Sequence, residues 1–135
     1  MITMRKTIMI AAAAMALAAC QESLDDRAAR EAREFTEKNC PVQISEAITT
    51  DSLTFDKQTK TLHYYLSVRG VADTTAIAGS DVHADMIKSL KGNTSVRAYK
   101  EAGYNFMYTF FSTKHSGKKL YEINITKQDY NNLKQ

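Results

Sequence analysis

Apolar and polar positions follow two periods along this chain, and the switches between them outline its elements. Residues 61–69 alternate strictly, with Leu62, Tyr64, Leu66 and Val68 on one parity and His63, Tyr65, Ser67 and Arg69 on the other. That period of two predicts a strand with one buried face. Residues 104–113 repeat the pattern, with Tyr104, Phe106, Tyr108 and Phe110 on one side and Met107 and Phe111 on the other. Residues 119–126 return as a third strand carrying Tyr121, Ile123 and Ile125. Residues 42–55 are strand-like but change phase: Val42, Ile44 and Ile48 share one parity, Leu53 and Phe55 the other. A one-residue slip moves side chains to the opposite face, so a β-bulge or tight turn is expected near residues 49–52.

A helical period governs the rest. Residues 21–38 carry a thin stripe of Leu24, Ala28, Ala32 and Phe35, and residues 80–91 a fuller one of Val82, Met86, Ile87 and Leu90. Val96, Tyr99 and Ala102 fit a short helical turn, and Tyr130 and Leu133 a short C-terminal helix. Ser23 with Asp26, and Thr126 with Asp129, have capping-box spacing. Acid-before-base pairs at Asp26 and Arg30, and at Glu34 and Lys38, support the first helix. Asn39 and Pro41 stop that helix, Gly92 ends the second, and Gly117 lies in the turn at residues 114–118. The order is helix–hairpin–helix–hairpin–short helix. It predicts an α+β fold, an antiparallel sheet of four to five strands with helices on one face. The narrow stripe of the first helix predicts a stalk over its first two turns and docking near Phe35.

The opening stretch belongs to neither period. Arg5 and Lys6 precede an almost wholly apolar run over residues 7–19, which closes on Leu17-Ala18-Ala19-Cys20. A charged start, a short apolar core and a small-residue cleavage site are the marks of a secretory signal, and the run is too short to span a bilayer. Leu17 to Cys20 resemble the lipobox of bacterial lipoprotein precursors at all four positions. That resemblance covers residues 1–20. It implies a lipid on the Cys20 thiol, cleavage before Cys20 and acylation of the new amino group, which together give stable anchoring without a transmembrane helix. Gln21 in place of Asp implies the outer membrane in a Gram-negative cell. The expected division is a signal at 1–19, an anchor with N-terminal helix or stalk at 20–38, and one α+β domain at 39–135. In layout the mature chain resembles the small lipoproteins of Gram-negative envelopes.

This opening changes the reading of composition. The chain has 18 Lys and Arg against 15 Asp and Glu, but Arg5 and Lys6 leave with the signal. The mature domain is then close to neutral, and charge gives no case for nucleic acid. Of the two cysteines, Cys20 and Cys40, lipidation occupies the first and leaves Cys40 without an intramolecular partner. Cys40 is then a buried inert thiol, an intermolecular bridge or a reactive thiol.

Candidate chemistry is sparse. His63, His83 and His115 have no neighbour at metal-ligand spacing, and no phosphate loop, dinucleotide fingerprint or calcium loop occurs. No catalytic residue, metal or cofactor is expected. The strand aromatics are read in two ways: as core and ordinary strand packing, or with Tyr65, Met107 and Phe111 forming a binding surface on the open sheet face. Asp51-Ser52-Leu53 and Asp73-Thr74-Thr75 are similar to a short O-glycosylation pattern of some Gram-negative envelope proteins. Three functions follow. The first is an envelope lipoprotein held to the membrane through Cys20, acting without catalysis in binding, assembly or inhibition of a protein or glycan partner. The others are a thiol-dependent enzyme or redox protein using Cys40, and a structural module acting through self-association.

Overall fold

The computed structural model describes residues 21–74, 76–77 and 81–131. Residues 1–20, which hold the expected signal and Cys20, and Thr75, Ser80 and Leu133 lie outside the described residues. The elements in chain order are α1 (Leu24–Asn39), β1 (Val42–Gln43), β2 (Ile48–Asp56), β3 (Thr61–Val68), α2 (Val82–Gly92), α3 (Arg97–Glu101), β4 (Asn105–Ser112), β5 (Lys119–Ile125) and α4 (Lys127–Asn131), with 3-10 turns at Gly70–Ala72 and Thr94–Val96. Among the described residues, no helix is long and apolar enough to cross a membrane.

The fold is α+β, a five-stranded sheet with helices on one face, in spatial order β1-β2-β3-β4-β5. The β1–β2, β2–β3 and β4–β5 pairs are antiparallel. The central pair corrects the expectation of an antiparallel sheet throughout: β3 and β4 run parallel, from Thr61 opposite Asn105 to Val68 opposite Ser112. The connection between them holds α2 and α3, and parallel neighbours need a crossover of a dozen residues or more. Side-chain alternation is the same in either direction, so the sequence pattern carries no information about it.

The phase slip in β2 is a register shift between Thr50 and Ser52. It lets Ile48 and Thr50, opposite Val68 and Leu66, face the same side as Leu53 and Phe55, opposite Tyr64 and Leu62. A second shift lies between Phe110 and Phe111, where β5 passes from Tyr121 to Lys119.

The core fills the helix-covered face. Leu62, Leu66 and Val68 of β3, Phe106 and Phe110 of β4, and Ile123 and Ile125 of β5 are buried there, with Ile87, Leu90, Val96, Tyr99 and Tyr130 packing from the helical side. Burial of such side chains contributes roughly 1.5–3 kcal/mol each. Phe106 meets Tyr130 edge-on at 5.9 Å, and Tyr64 stacks on Tyr108 at 4.9 Å.

Ser23 caps α1, accepting from the Asp26 N–H at 3.1 Å. The helix is docked from its first turn, so the expectation of a stalk over its first two turns gives way. Leu24 packs against the core, Ala28 and Ala32 are buried in it, and Asp25 accepts from the Tyr104 hydroxyl and pairs with Lys60. The thin alanine stripe permits a close approach of helix to sheet. Thr36 completes the contact: its Oγ1 accepts from the Leu53 N–H at 2.9 Å, next to the bulge. The ion pairs also differ from the expected ones. Arg30 pairs with Glu22 and Glu34, while Asp26 meets Lys57. Asp129 supplies its half of the predicted capping box, its carboxylate accepting from the Thr126 N–H at 2.8 Å, while the Asp129 N–H goes to the backbone Thr126 O at 2.9 Å and not to the Thr126 hydroxyl.

Candidate functional site

Two concavities lie on opposite sides of the sheet. On the helix side, α1 and residues 93–99 stand apart over β2 and β3, leaving a groove of about 390 Å³. Leu53, Leu62 and Tyr64 come from the strands, Phe35 from α1, and Val96 and Tyr99 from the opposite wall. Glu31, Glu34 and Lys38 supply the charge of the α1 wall. Burial pushes the Tyr64 hydroxyl up to about 12, so it stays neutral. The Tyr99 hydroxyl donates to Glu31 Oε2 at 2.7 Å, which ties the two walls together. Burial pushes Glu31 up, but the bonds from Arg27 and Tyr99 outweigh it and hold the carboxyl below its ordinary range.

On the other side, no helix among the described residues covers the strands. Tyr65, Met107 and Phe111 are half-buried on this face, opposite Thr109, His63 and Ser67 respectively. Tyr65 stacks on His63 with ring centroids 4.0 Å apart. A cleft of about 480 Å³ runs over His63, Tyr65, Met107, Asn105 and Asn124. Beneath it lies a polar relay. The buried Thr109 hydroxyl donates to Glu122 Oε2 at 2.6 Å, and His63 Nε2 lies 2.6 Å from Thr109 Oγ1. The Thr109 bond holds the Glu122 carboxyl below its usual range, and burial holds His63 below 6.5. A carboxylate only accepts, so the single hydroxyl proton of Thr109 goes to Glu122 and His63 Nε2 is the donor to Thr109. Neutral His63 then carries its proton on Nε2 and leaves Nδ1 as an acceptor.

Sequence reasoning placed Tyr65 on this face by parity but missed the relay, because Thr109 and Glu122 meet His63 only through pairing of separate strands. It also missed Asp73. That buried carboxylate accepts the N–H groups of Thr113 and Lys114 at 2.9 and 2.8 Å, joining the loop after β3 to the β4–β5 turn. Its bond from Ser112, then that from Lys114, hold it below 3.8.

Cys40 is half-buried beyond the end of α1, its N–H donating to Phe35 O at 3.2 Å. Burial pushes the thiol up, and the Asp51 carboxylate adds to the shift. Both effects oppose formation of a thiolate nucleophile. Among the described residues, no three His, Cys, Asp or Glu side chains are grouped to hold a metal ion. His83 and His115 are exposed. In the tripeptides resembling glycosylation sites, Ser52 lies half-buried at the bulge and Thr74 is exposed.

The fold has solved counterparts. A protein of Pseudomonas aeruginosa described as secreted (PA3611) superposes with a TM-score of 0.62 at 20% identity, over 82% of this chain and 99% of that one. The pilotin EpsS of the Vibrio vulnificus type 2 secretion system gives 0.60 at 11% identity, over 79% and 91%. The type II secretion system pilotin AspS of Vibrio cholerae gives 0.61 at 17%, over 84% and 98%. At these identities the likeness is one of fold. A search of curated protein sequences finds no match. The match to a protein-family model runs over residues 23–121, from the cap of α1 to the middle of β5, and the chain therefore belongs to the family described as domain of unknown function DUF8479.

Proposed function

We propose that this chain is an exported, lipid-anchored envelope protein that acts without catalysis, by holding a protein partner in the helix-side groove. The observation that carries the reading is the groove's construction: an apolar floor of Leu53, Leu62 and Tyr64, between walls that a half-buried Tyr99–Glu31 hydrogen bond ties together. A preformed apolar slot with a charged rim suits a short amphipathic segment of another protein. The pilotin fold supports an assembly role in the envelope, and the lipobox-like residues Leu17 to Cys20 support a membrane-tethered one, at the outer membrane of a Gram-negative cell. The domain starts at Ser23, three positions after Cys20, so a lipid there would hold the groove close to the membrane surface.

The test is crosslinking and capture from intact cells. The wild-type chain captures a membrane protein, and Phe35→Asp, which puts a charge on the groove wall, abolishes capture while membrane retention persists. Undiminished capture by Phe35→Asp removes the groove from the reading. Cys20→Ser releases the protein from membranes; continued membrane association overturns the anchor. The thiol-enzyme reading has the raised Cys40 thiol against it. At pH 8 Cys40 reacts with iodoacetamide several-fold more slowly than an unperturbed cysteine, and a faster rate restores that alternative.

A further inference from the structure

The geometry points to a second binding site on the open sheet face, for a neutral, hydroxyl-rich saccharide, in the cleft built around Tyr65 and His63. It is separate from the helix-side groove and does not rest on a protein partner there.

Charge narrows the ligand first. Neither lysine nor arginine lines the cleft, Asp56 does, and Glu122 beside its floor is ion-paired with Lys119 at 3.6 Å, so the net charge at the cleft is the negative one of Asp56. An anion would enter a field of the wrong sign, which disfavours phosphates, nucleotides and acidic glycans. The lining is also too polar for an apolar anchor: Asp56, His63, Asn105 and Asn124 alternate with Tyr65 and Met107. What remains is a ligand with an apolar face and many hydrogen-bonding edges, and a sugar ring has both.

The free hydrogen-bonding capacity matches that shape. Asp56 receives the Gln58 and Thr59 N–H groups on Oδ1, which leaves Oδ2 to accept from hydroxyls. Asn105 donates through Nδ2 to Thr59 O at 3.0 Å, which leaves its carbonyl oxygen as an acceptor. The side chain of the exposed Asn124 makes no hydrogen bond among the described residues and offers both donor and acceptor. The relay through Thr109 leaves His63 Nδ1 as an acceptor. Four neighbouring side chains thus have unfilled capacity around one aromatic pair. The Tyr65–His63 stack is held in place from below, so little side-chain freedom is lost when a ring packs on it. The volume of about 480 Å³ accommodates a short oligosaccharide.

The experiment is calorimetric titration of the full-length protein, purified from membranes in detergent, with chitotetraose, cellotetraose and maltotetraose, and with a heparin tetrasaccharide as the acidic comparison. Saturable binding of a neutral tetrasaccharide is expected, at least tenfold weaker in Tyr65→Ala and in Asn124→Ala. The groove variant Phe35→Asp keeps full saccharide affinity, so failure of this site and failure of the protein-binding groove read separately. Circular dichroism confirms that each variant is folded. Absence of binding to all three neutral tetrasaccharides overturns the proposal. So does unchanged affinity in both Tyr65→Ala and Asn124→Ala, or tighter binding of the heparin fragment.

Discussion

Phe110 and Phe111 are neighbours in β4 and the same residue type, yet Phe110 is fully buried and Phe111 is half-exposed on the opposite face. Each strand contributes side chains to both sides, so the two faces share one backbone and one set of ladders. Helices α1 to α4 cover only one of them. The covered face holds the aromatic and aliphatic core, with buried tyrosine hydroxyls tied to partners such as Glu31 and Asp25. The other is built from Thr61, His63, Tyr65, Ser67, Asn105, Met107 and Thr109. The difference separates two tasks: one face stabilises the fold, and the other can change its chemistry with little cost to stability.

The largest test of that separation is a paired substitution. Phe110→Ala removes a fully buried ring and is expected to cost about 3–5 kcal/mol in urea unfolding, while Phe111→Ala costs roughly 1 kcal/mol or less. Equal losses would mean that both faces are core. Next in size is α1 docking. Ala32 is buried where helix and sheet approach closely, and Ala32→Leu is expected to cost about 1–3 kcal/mol by overpacking. If α1 were a stalk, the change would be silent.

Acid sensitivity comes third. Asp73 sits below 3.8 in the folded protein because Ser112 and the Lys114 N–H bond its carboxylate. The folded state therefore binds fewer protons than the unfolded chain. The contribution is full above 3.8 and is lost as pH falls from there through the lowered folded value. Asp73→Asn lowers the urea midpoint at pH 7 and flattens the acid limb below pH 4. An acid limb identical to wild type would show that Asp73 is not its source. The smallest effect belongs to the open face. Burial holds His63 below 6.5, so its contribution is complete above 6.5 and declines as pH falls through the folded value. His63→Gln is expected to remove a slight loss of stability below pH 6.5. In NMR the His63 ring titrates below 6.5 with its neutral proton on Nε2; a neutral Nδ1–H form would break the relay through Thr109.

Much of the fold was legible because its signals are local. Ser23 capped α1 and Asp129 closed on Thr126 as the spacing predicts. The slip in hydrophobic phase located the bulge between Thr50 and Ser52. Parity put Tyr65, Met107 and Phe111 on the side opposite Phe106 and Phe110. The docking of the first two turns of α1 was not legible, because stripe width does not measure docking. For alanines a narrow stripe brings the backbones closer, and Asp25, Tyr104 and Lys60 then meet across the chain. The groove was illegible for a related reason: it is a space between α1 and residues 93–99, and spacing within either segment says nothing about the gap.

By itself the sequence determined the elements, their ends, the two chemically distinct strand faces and the lipobox-like opening, since each depends on residues a few positions apart. Tertiary structure decided the parallel β3–β4 junction, the full docking of α1, the His63–Thr109–Glu122 relay and the buried Asp73 clasp. Those depend on which strand lies beside which and in what direction. That choice is made when the crossover between β3 and β4 packs its helices onto the sheet, and no local periodicity records it.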